Sequence, residues 1–473
     1  MKKENESTIS ELPSVLSRRE FLERSAAVCA VSSSSIGLQR PDRQAVPRDK
    51  ASREPGAIEA ALRDNIYTRL LGIRPHLGAH EHISRLGGSR MSGEVMQAMI
   101  EANDYFVDMH ELSEAAGRHI AQVMGAEDAV VTSGGFSAML IGAAACLTGT
   151  DPEKIRALPR VTWPKCECLI QAGHRFDYDR AYGDAGMTIV EAKTREQFRE
   201  SIGERTAMIA VLAAAEKQRV FAPPFPVKRS QPPPAEVLRP QELIDLGRGA
   251  GVPVLVDLAS DLPPASNLNR FLKMGADLVV LSGGKGIGGP QSTGILAGRK
   301  DLIEAARINN YPNDNIGRGM KVGKEEMIGL VIALDRYVSL DHEAVIAGWN
   351  AKAKWLADQL QGIPGLRAEY AMNTMGYADV DLSWDEKIIP LTDQEVKKKL
   401  KEGEPSLVYD GTTVRTRLLR DGEEVVVARR LRKFFETEAL VSRLVDSLPK
   451  SSVWTRHFQG GVKLPPRRSA LLR

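Results

Sequence analysis

The sequence predicts an α/β protein built on a mostly parallel sheet, followed by a smaller C-terminal α/β region. Three observations carry this. Short unbroken apolar strands alternate with helical stretches across most of the chain. Several of those strands end in glycine, serine or aspartate, as strand ends facing a site do. The 473 residues, 42% hydrophobic and 26% charged, suffice for one large core and a smaller one.

The elements follow in order. Residues 92–124 are helical in character, with Ser92 as N-cap, Glu94 in the first turn, and Val95, Met99, Phe106, Met109, Leu112, Ala116, Ile120 and Val123 at helix-like spacing. A strand at Ala129 to Thr132 runs through Ser133-Gly134-Gly135 into an apolar helix from Phe136 to Leu147. Further strands are expected at Cys168 to Ala172, Thr188 to Glu191, Met208 to Ala213, Val254 to Asp257 and Leu278 to Ser282. Residues 221–240 hold seven prolines and read as an exposed loop or insertion. A long helix begins near residue 325. Beyond it, strands are expected at Tyr377 to Leu382, Thr412 to Leu418 and Glu423 to Val427. The domains expected are a large one over 57–340, including its N-terminal segment, and a small one over 341–473.

The first residues read differently. SRREFL at 17–22, followed by a weakly apolar stretch from Ser25 to Leu38, has the pattern of a twin-arginine export signal over residues 1–38. A disordered basic tail is the other reading. The stretch is too short and too serine-rich to span a bilayer, so no transmembrane helix is expected. Residues 39–56, rich in Arg, Asp and Pro, read as a linker. Export makes a periplasmic or other extracytoplasmic location the expectation, with a cytoplasmic one as the alternative.

Charge is balanced, with 64 basic and 61 acidic residues, which gives no general reason to expect a polyanionic partner such as nucleic acid. Four cysteines are too few for a disulfide scaffold in a chain of this length. Cys166 and Cys168 share a strand face and read as packing residues, and no metal site is expected.

Three strand ends carry candidate chemistry. Ser133, Gly134 and Gly135 open a helix whose free N–H groups suit a phosphate, or form a tight structural turn. Asp257 ends a buried strand and needs a partner. That partner is a protonated pyridine nitrogen, or else a helix start or structural ion pair. Lys285 lies in Ser282-Gly283-Gly284-Lys285-Gly286-Ile287-Gly288-Gly289-Pro290. A lysine in a dry, crowded loop can lose its proton and join a carbonyl cofactor, or it can contact a substrate phosphate. Ser282 is placed to donate to a cofactor phosphate. Asp257 and Lys285 flank one strand–helix–strand unit, so both fall on one rim of the sheet.

Residues 253–303, PVLVDLASDLPPASNLNRFLKMGADLVVLSGGKGIGGPQSTGILAGRKDLI, resemble the cofactor-lysine region of the selenocysteine synthase (L-seryl-tRNA selenium transferase)-like family, which includes D-glucosaminate-6-phosphate ammonia lyase. LGGSRMSGEV at 86–95, VTSGGFSAMLIGAAACLTG at 131–149, GHRFDYDRA at 173–181 and GRGMKVGKEE at 317–326 extend the resemblance over most of 66–440. It implies the fold-type-I architecture, pyridoxal 5'-phosphate as cofactor, and at least a homodimer. It also implies Lys285 as Schiff-base lysine, Asp257 as the pyridine-nitrogen partner, Ser133, Gly134, Gly135 and Ser282 as phosphate contacts, and His174 as a ring-stacking residue, with a hydrogen-bonded structural histidine as the alternative. Arg85, Arg318 and Lys321 are the corresponding substrate candidates, the last two with a solvated basic turn as the alternative.

One segment departs from the family. Members carry a stretch like INAAGTYTRLGGS, where this chain reads HLGAHEHISRLGGS at 76–89. His80, Glu81 and His82 stand where the substrate is expected. Neighbours in a run rarely converge on one metal ion, so the change bears on substrate. The expected reaction is Cα deprotonation and α,β-elimination on an amino acid or amino sugar acid, as in an ammonia lyase. The alternatives are selenium transfer to seryl-tRNA, a racemase or aldolase on the same cofactor, and a non-catalytic exported binding protein.

Overall fold

The computed structural model describes residues 54–217 and 237–447. The export-signal region, nearly all of the linker, most of the proline-rich insertion and the C-terminal tail lie outside the described residues. Among the described residues no helix is long and apolar enough to cross a membrane.

A helix at Pro55–Arg63 and a short one at Ile66–Leu71 lead to β1 (Leu77–Ala79). Seven strands then make the central sheet: β2 (Asp128–Thr132), β3 (Glu167–Gln171), β4 (Thr188–Ala192), β5 (Thr206–Leu212), β6 (Val254–Asp257), β7 (Leu278–Ser282) and β8 (Gly294–Gly298). Their order is β2-β8-β7-β6-β5-β3-β4. Neighbours from β7 through β4 are parallel, while β8 runs antiparallel to both β2 and β7. β2 therefore points the same way as β6 and β7, and Thr132, Asp257 and Ser282 end on one rim. The sequence reading lacked β8. Its GILAG stretch is short and glycine-bounded, and only its insertion between β2 and β7 makes it a strand.

The helix Gly134–Thr148 explains much of the sheet's cover. It is apolar all round, with eleven buried residues, so it sits inside the protein rather than on its surface. At Gly142 an added Cβ would lie 2.6 Å from Leu255 Cδ1, so the glycine lets the helix lie close against the sheet. Cys146, Cys166 and Cys168 are free thiols packed in the same core layer.

The C-terminal part adds β9 (Leu366–Met372), β10 (Ala378–Trp384), β11 (Leu407–Tyr409) and β12 (Thr413–Val414). β9, β10 and β12 form an antiparallel sheet, and β11 pairs in parallel with β1. Ile58, Leu77 and Ala79 share a core with Leu356, Val380, Leu431 and Phe435. The N-terminal segment thus packs with the C-terminal region rather than with the large sheet, because its apolar residues find their partners 300 residues away.

Two element expectations need correction. Residues 92–124 form two helices, Gly93–Asn103 and Met109–Met124, the second capped by Asp108. Glu423 to Val427 is not a strand but the start of a helix at Glu423–Ser447. The β-branched run looks strand-like alone, yet buried Val427, Leu431, Phe434 and Phe435 repeat at helical spacing.

Candidate active site

The rim where β2, β6 and β7 end opens on a cavity of about 280 Å³, near the lower end of the roughly 300–1,000 Å³ range of small-molecule sites. Its walls include Ser133, Gly134, Gly135, Phe176, Asp257, Ser282 and Lys285. A second cavity of about 750 Å³ lies on the other side of Lys285, walled by His80, His82, Arg90, Trp349 and Arg417 among others. Lys285 lines both.

The lysine loop is tight because its glycines touch backbone. A Cβ on Gly284 would sit 2.3 Å from Gln291 Cα, and one on Gly286 would sit 2.9 Å from the Leu262 carbonyl oxygen. The Leu86-Gly87-Gly88-Ser89 turn presses on this loop. Gly88 adopts φ +67°, and a Cβ there would lie 2.8 Å from the Gly284 carbonyl oxygen. Gln291 anchors the same turn by donating to the Ser84 carbonyl at 2.6 Å. No hydrogen bond or ion pair engages the Lys285 amine among the described residues. Burial draws its pKa below the ordinary lysine range, against the pull of Asp257, Glu81 and Asp261.

Asp257 is buried, and its Oδ1 accepts the Ala259 N–H at 2.8 Å. Burial pushes its carboxyl up to about 6, opposed by that hydrogen bond and by Lys285. Among the described residues no ion pair engages this carboxylate, which lines the cavity. Ser133 precedes the buried helix without capping it by its side chain, so the first-turn N–H groups face the cavity alongside its hydroxyl. Gly135 admits this turn, since a Cβ there would meet Ala259 Cβ at 3.1 Å.

Other candidates fall elsewhere. His174 does not line the cavity. Its Nδ1 accepts the Leu212 N–H at 3.1 Å and its Nε2 donates to the Leu238 carbonyl at 2.8 Å. Both ring nitrogens are used in holding loops together, so the stacking role is corrected to a structural one. Phe176, two residues on, walls the cavity together with the aromatic residues Phe136 and Tyr178. Arg85 is exposed and lines neither cavity. Arg318 is exposed and paired with Asp314 at 2.9 Å, and Lys321 is exposed, so within one chain neither reaches the site.

Sequence reasoning missed Arg417. Its guanidinium is buried, meets Glu81 at 3.2 Å, donates to the Tyr377 hydroxyl at 2.6 Å and contacts His82 Nδ1. Arg415, two residues earlier, pairs with Asp379 at 2.6 Å and Glu81 at 3.4 Å. Two arginines at alternate positions after a strand were the available signal. The His80-Glu81-His82 run fans out instead of converging: His80 to His76, Glu81 to the arginines, His82 to Arg417. Among the described residues no group of three or more His, Cys, Asp or Glu is placed to hold a metal.

This geometry agrees with the comparisons to known proteins. The family model described as SelA, L-seryl-tRNA selenium transferase, matches residues 86–347. The chain belongs to the SelA family. The chain is 32% identical over 369 residues to a 5'-C-glycyluridine monooxygenase-decarboxylase of a Streptomyces species, covering 76% of this chain and 90% of that one. It is 28% identical over 393 residues to the D-glucosaminate-6-phosphate ammonia lyase of Salmonella typhimurium, covering 79% and 99%. A solved structure of D-glucosaminate-6-phosphate ammonia-lyase superposes with a TM-score of 0.67 at 27% identity, covering 80% of this chain and 99% of that one. The SelA fold is the fold-type-I α/β architecture, and the chain is an enzyme of this pyridoxal-phosphate family.

Proposed function

We propose that this chain binds pyridoxal 5'-phosphate on Lys285 and acts on an amino acid or amino sugar acid by removing its Cα proton and expelling a β-substituent, as an ammonia lyase does. One arrangement carries the reading. Lys285, whose amine has no hydrogen bond or ion pair among the described residues, lines both cavities, with Asp257 lining the smaller and Arg417 and His82 the larger.

The residues of the smaller cavity fit the cofactor. Ser133, the first-turn N–H groups after it and Ser282 would hold the phosphate, Asp257 the pyridine nitrogen, and Lys285 the aldehyde carbon. Phe176 supplies an apolar wall. When bound, the cofactor supplies an electron sink conjugated to the substrate nitrogen. Asp257 favours that sink by holding a proton at the ring nitrogen. Lys285 Nζ would take the Cα proton and return a proton to the departing group. Burial favours the unprotonated amine this needs. The Arg417 and His82 side of the larger cavity would take the substrate's oxygen-bearing groups.

A yellow purified protein that borohydride fixes with cofactor on the peptide containing Lys285, and a colourless Lys285→Ala variant, are the expected results. A wild type that gains no absorbance band when given cofactor overturns the reading. For the reaction, D-glucosaminate 6-phosphate and other β-hydroxy amino acids are assayed for ammonia and keto acid. The 32% identity to the glycyluridine enzyme favours a second reading, oxidative decarboxylation of a nucleoside-linked amino acid. Oxygen uptake with glycyluridine, without ammonia release from the hydroxy acids, selects it. Tight, salt-sensitive binding of seryl-tRNA without small-molecule turnover would select selenium transfer instead.

Two further parts belong to this proposal. The chain works as a homodimer or larger assembly. Exposed Ile66, Leu70 and Leu71 lie beside Tyr67 and Ile73, which also line the larger cavity, so a second copy covering this face would also close that cavity. SRREFL directs export, and an intact N-terminus on cytoplasmic protein would overturn that.

A further inference from the structure

Three histidines of the divergent segment, His76, His80 and His82, line the larger cavity. Their hydrogen bonds fix their tautomers. His80 Nδ1 meets the Glu81 carbonyl oxygen at 2.5 Å. A carbonyl only accepts, so Nδ1 carries the proton, and His80 Nε2 accepts from His76 Nε2–H at 3.2 Å. These two rings satisfy each other.

His82 is different. Its Nδ1 contacts Arg417 Nη2. A guanidinium has donors and no acceptor. His82 Nδ1 therefore accepts, and the ring proton resides on Nε2. No acceptor for that Nε2–H is present among the described residues, and the ring lines the cavity shared with Lys285. Arg417 is itself engaged by Glu81 and the Tyr377 hydroxyl, with the Leu262 carbonyl at 3.5 Å. Arg417 Nε is a further buried donor without a partner among the described residues; what sets the histidine apart is that its free Nε2–H is a neutral donor on a ring that lines the cavity.

We propose that His82 donates its Nε2–H to an acceptor oxygen of the substrate, and so selects substrates that place a hydroxyl, carboxylate or phosphoryl oxygen at that point. Arg417 is the positioning residue that fixes the tautomer. The proposal rests on reading the larger cavity as the substrate site. Burial, with the charge of Arg417 beside it, holds the His82 pKa well below its ordinary range; Glu81 opposes this, while Lys285 and His80 add to it. The ring thus stays a neutral donor in the ordinary working range.

The test has two arms. In the purified full chain labelled with ¹⁵N-histidine, with and without added cofactor, the His82 resonances, assigned by their loss in His82→Gln, should report the Nε2–H tautomer unchanged from about pH 6 to pH 8. A protonated ring or an Nδ1–H tautomer overturns the proposal, whatever the substrate. In the kinetic arm, D-glucosaminate 6-phosphate, L-serine and glycyluridine are the probes. With whichever is turned over, His82→Phe should raise KM about tenfold, the worth of one net hydrogen bond, while kcat changes less. His82→Gln, which keeps an N–H at a similar reach, should restore most of the loss. Equal KM values for wild type and His82→Phe overturn the proposal. A wild type without the lysine-bound cofactor band fails the proposed function instead, and the tautomer measurement still stands apart from it.

Discussion

Asp257 shows how a single buried carboxylate reports what it is built to meet. Its carboxyl is pushed up to about 6 from its ordinary 3.8, because burial disfavours the charge more than the Ala259 N–H supports it. The folded chain therefore holds this proton more tightly than the unfolded chain does. Stability of the cofactor-free protein falls as pH rises from about 4 through 6 and then levels, by roughly 3 kcal/mol for this group. Asp257→Asn removes the ionisation. Urea unfolding of cofactor-free protein should show the variant gaining up to that amount over wild type at pH 7.5, relative to their difference at pH 4. A difference that does not change with pH would mean the carboxylate is not penalised. In cofactor-loaded protein the same substitution should weaken cofactor binding, read by dialysis and absorbance.

At the scale of elements, the site is two turns pressed together. The 86–89 turn meets the lysine loop where Gly88 approaches the Gly284 carbonyl. Gly88→Ala introduces both a left-handed residue with a side chain and a contact of 2.8 Å with backbone. The variant should lose roughly 1–3 kcal/mol of stability and displace the lysine loop. A urea midpoint and a cofactor titration together check this, and an unchanged titration would mean the turn does not position Lys285. The same scale explains which elements were legible. Buried parallel strands such as Val254–Asp257 are short unbroken apolar runs, and these stand out in a sequence. Gly294–Gly298 is fully buried too, but two of its five residues are glycine, so its strand character comes from its neighbours β2 and β7.

The whole molecule joins segments far apart in the chain. The helix Pro55–Arg63 and β1 pack on the C-terminal core, and the 76–82 segment is thereby brought over Lys285. Ile66, Leu70 and Leu71 of the helix Ile66–Leu71 are exposed together, and Phe106 is exposed in the connection between two later helices. Scattered apolar residues are ordinary on a surface, but contiguous ones mark contacts. Sedimentation should give at least a dimer, and Leu70→Asp with Phe106→Asp should shift it toward monomer and lower the apparent affinity for substrate. A wild type that sediments as a monomer would sink this expectation.

The sequence alone located the residues of the rim. Ser133 to Gly135, Asp257 and Lys285 each sit within a few residues of a strand end, and strand–helix alternation puts such ends on one side. Those are local facts, carried by short motifs. Only the tertiary structure brought together the residues of the larger cavity, the proposed substrate side. Arg417 meets His82 across 335 residues of chain, and Glu81 joins Arg415 and Arg417 from the same distance. His174 likewise became structural only when Leu212 and Leu238 came to its two nitrogens. A histidine's role is set by which atoms face its ring, and those atoms come from elements the local sequence does not contain.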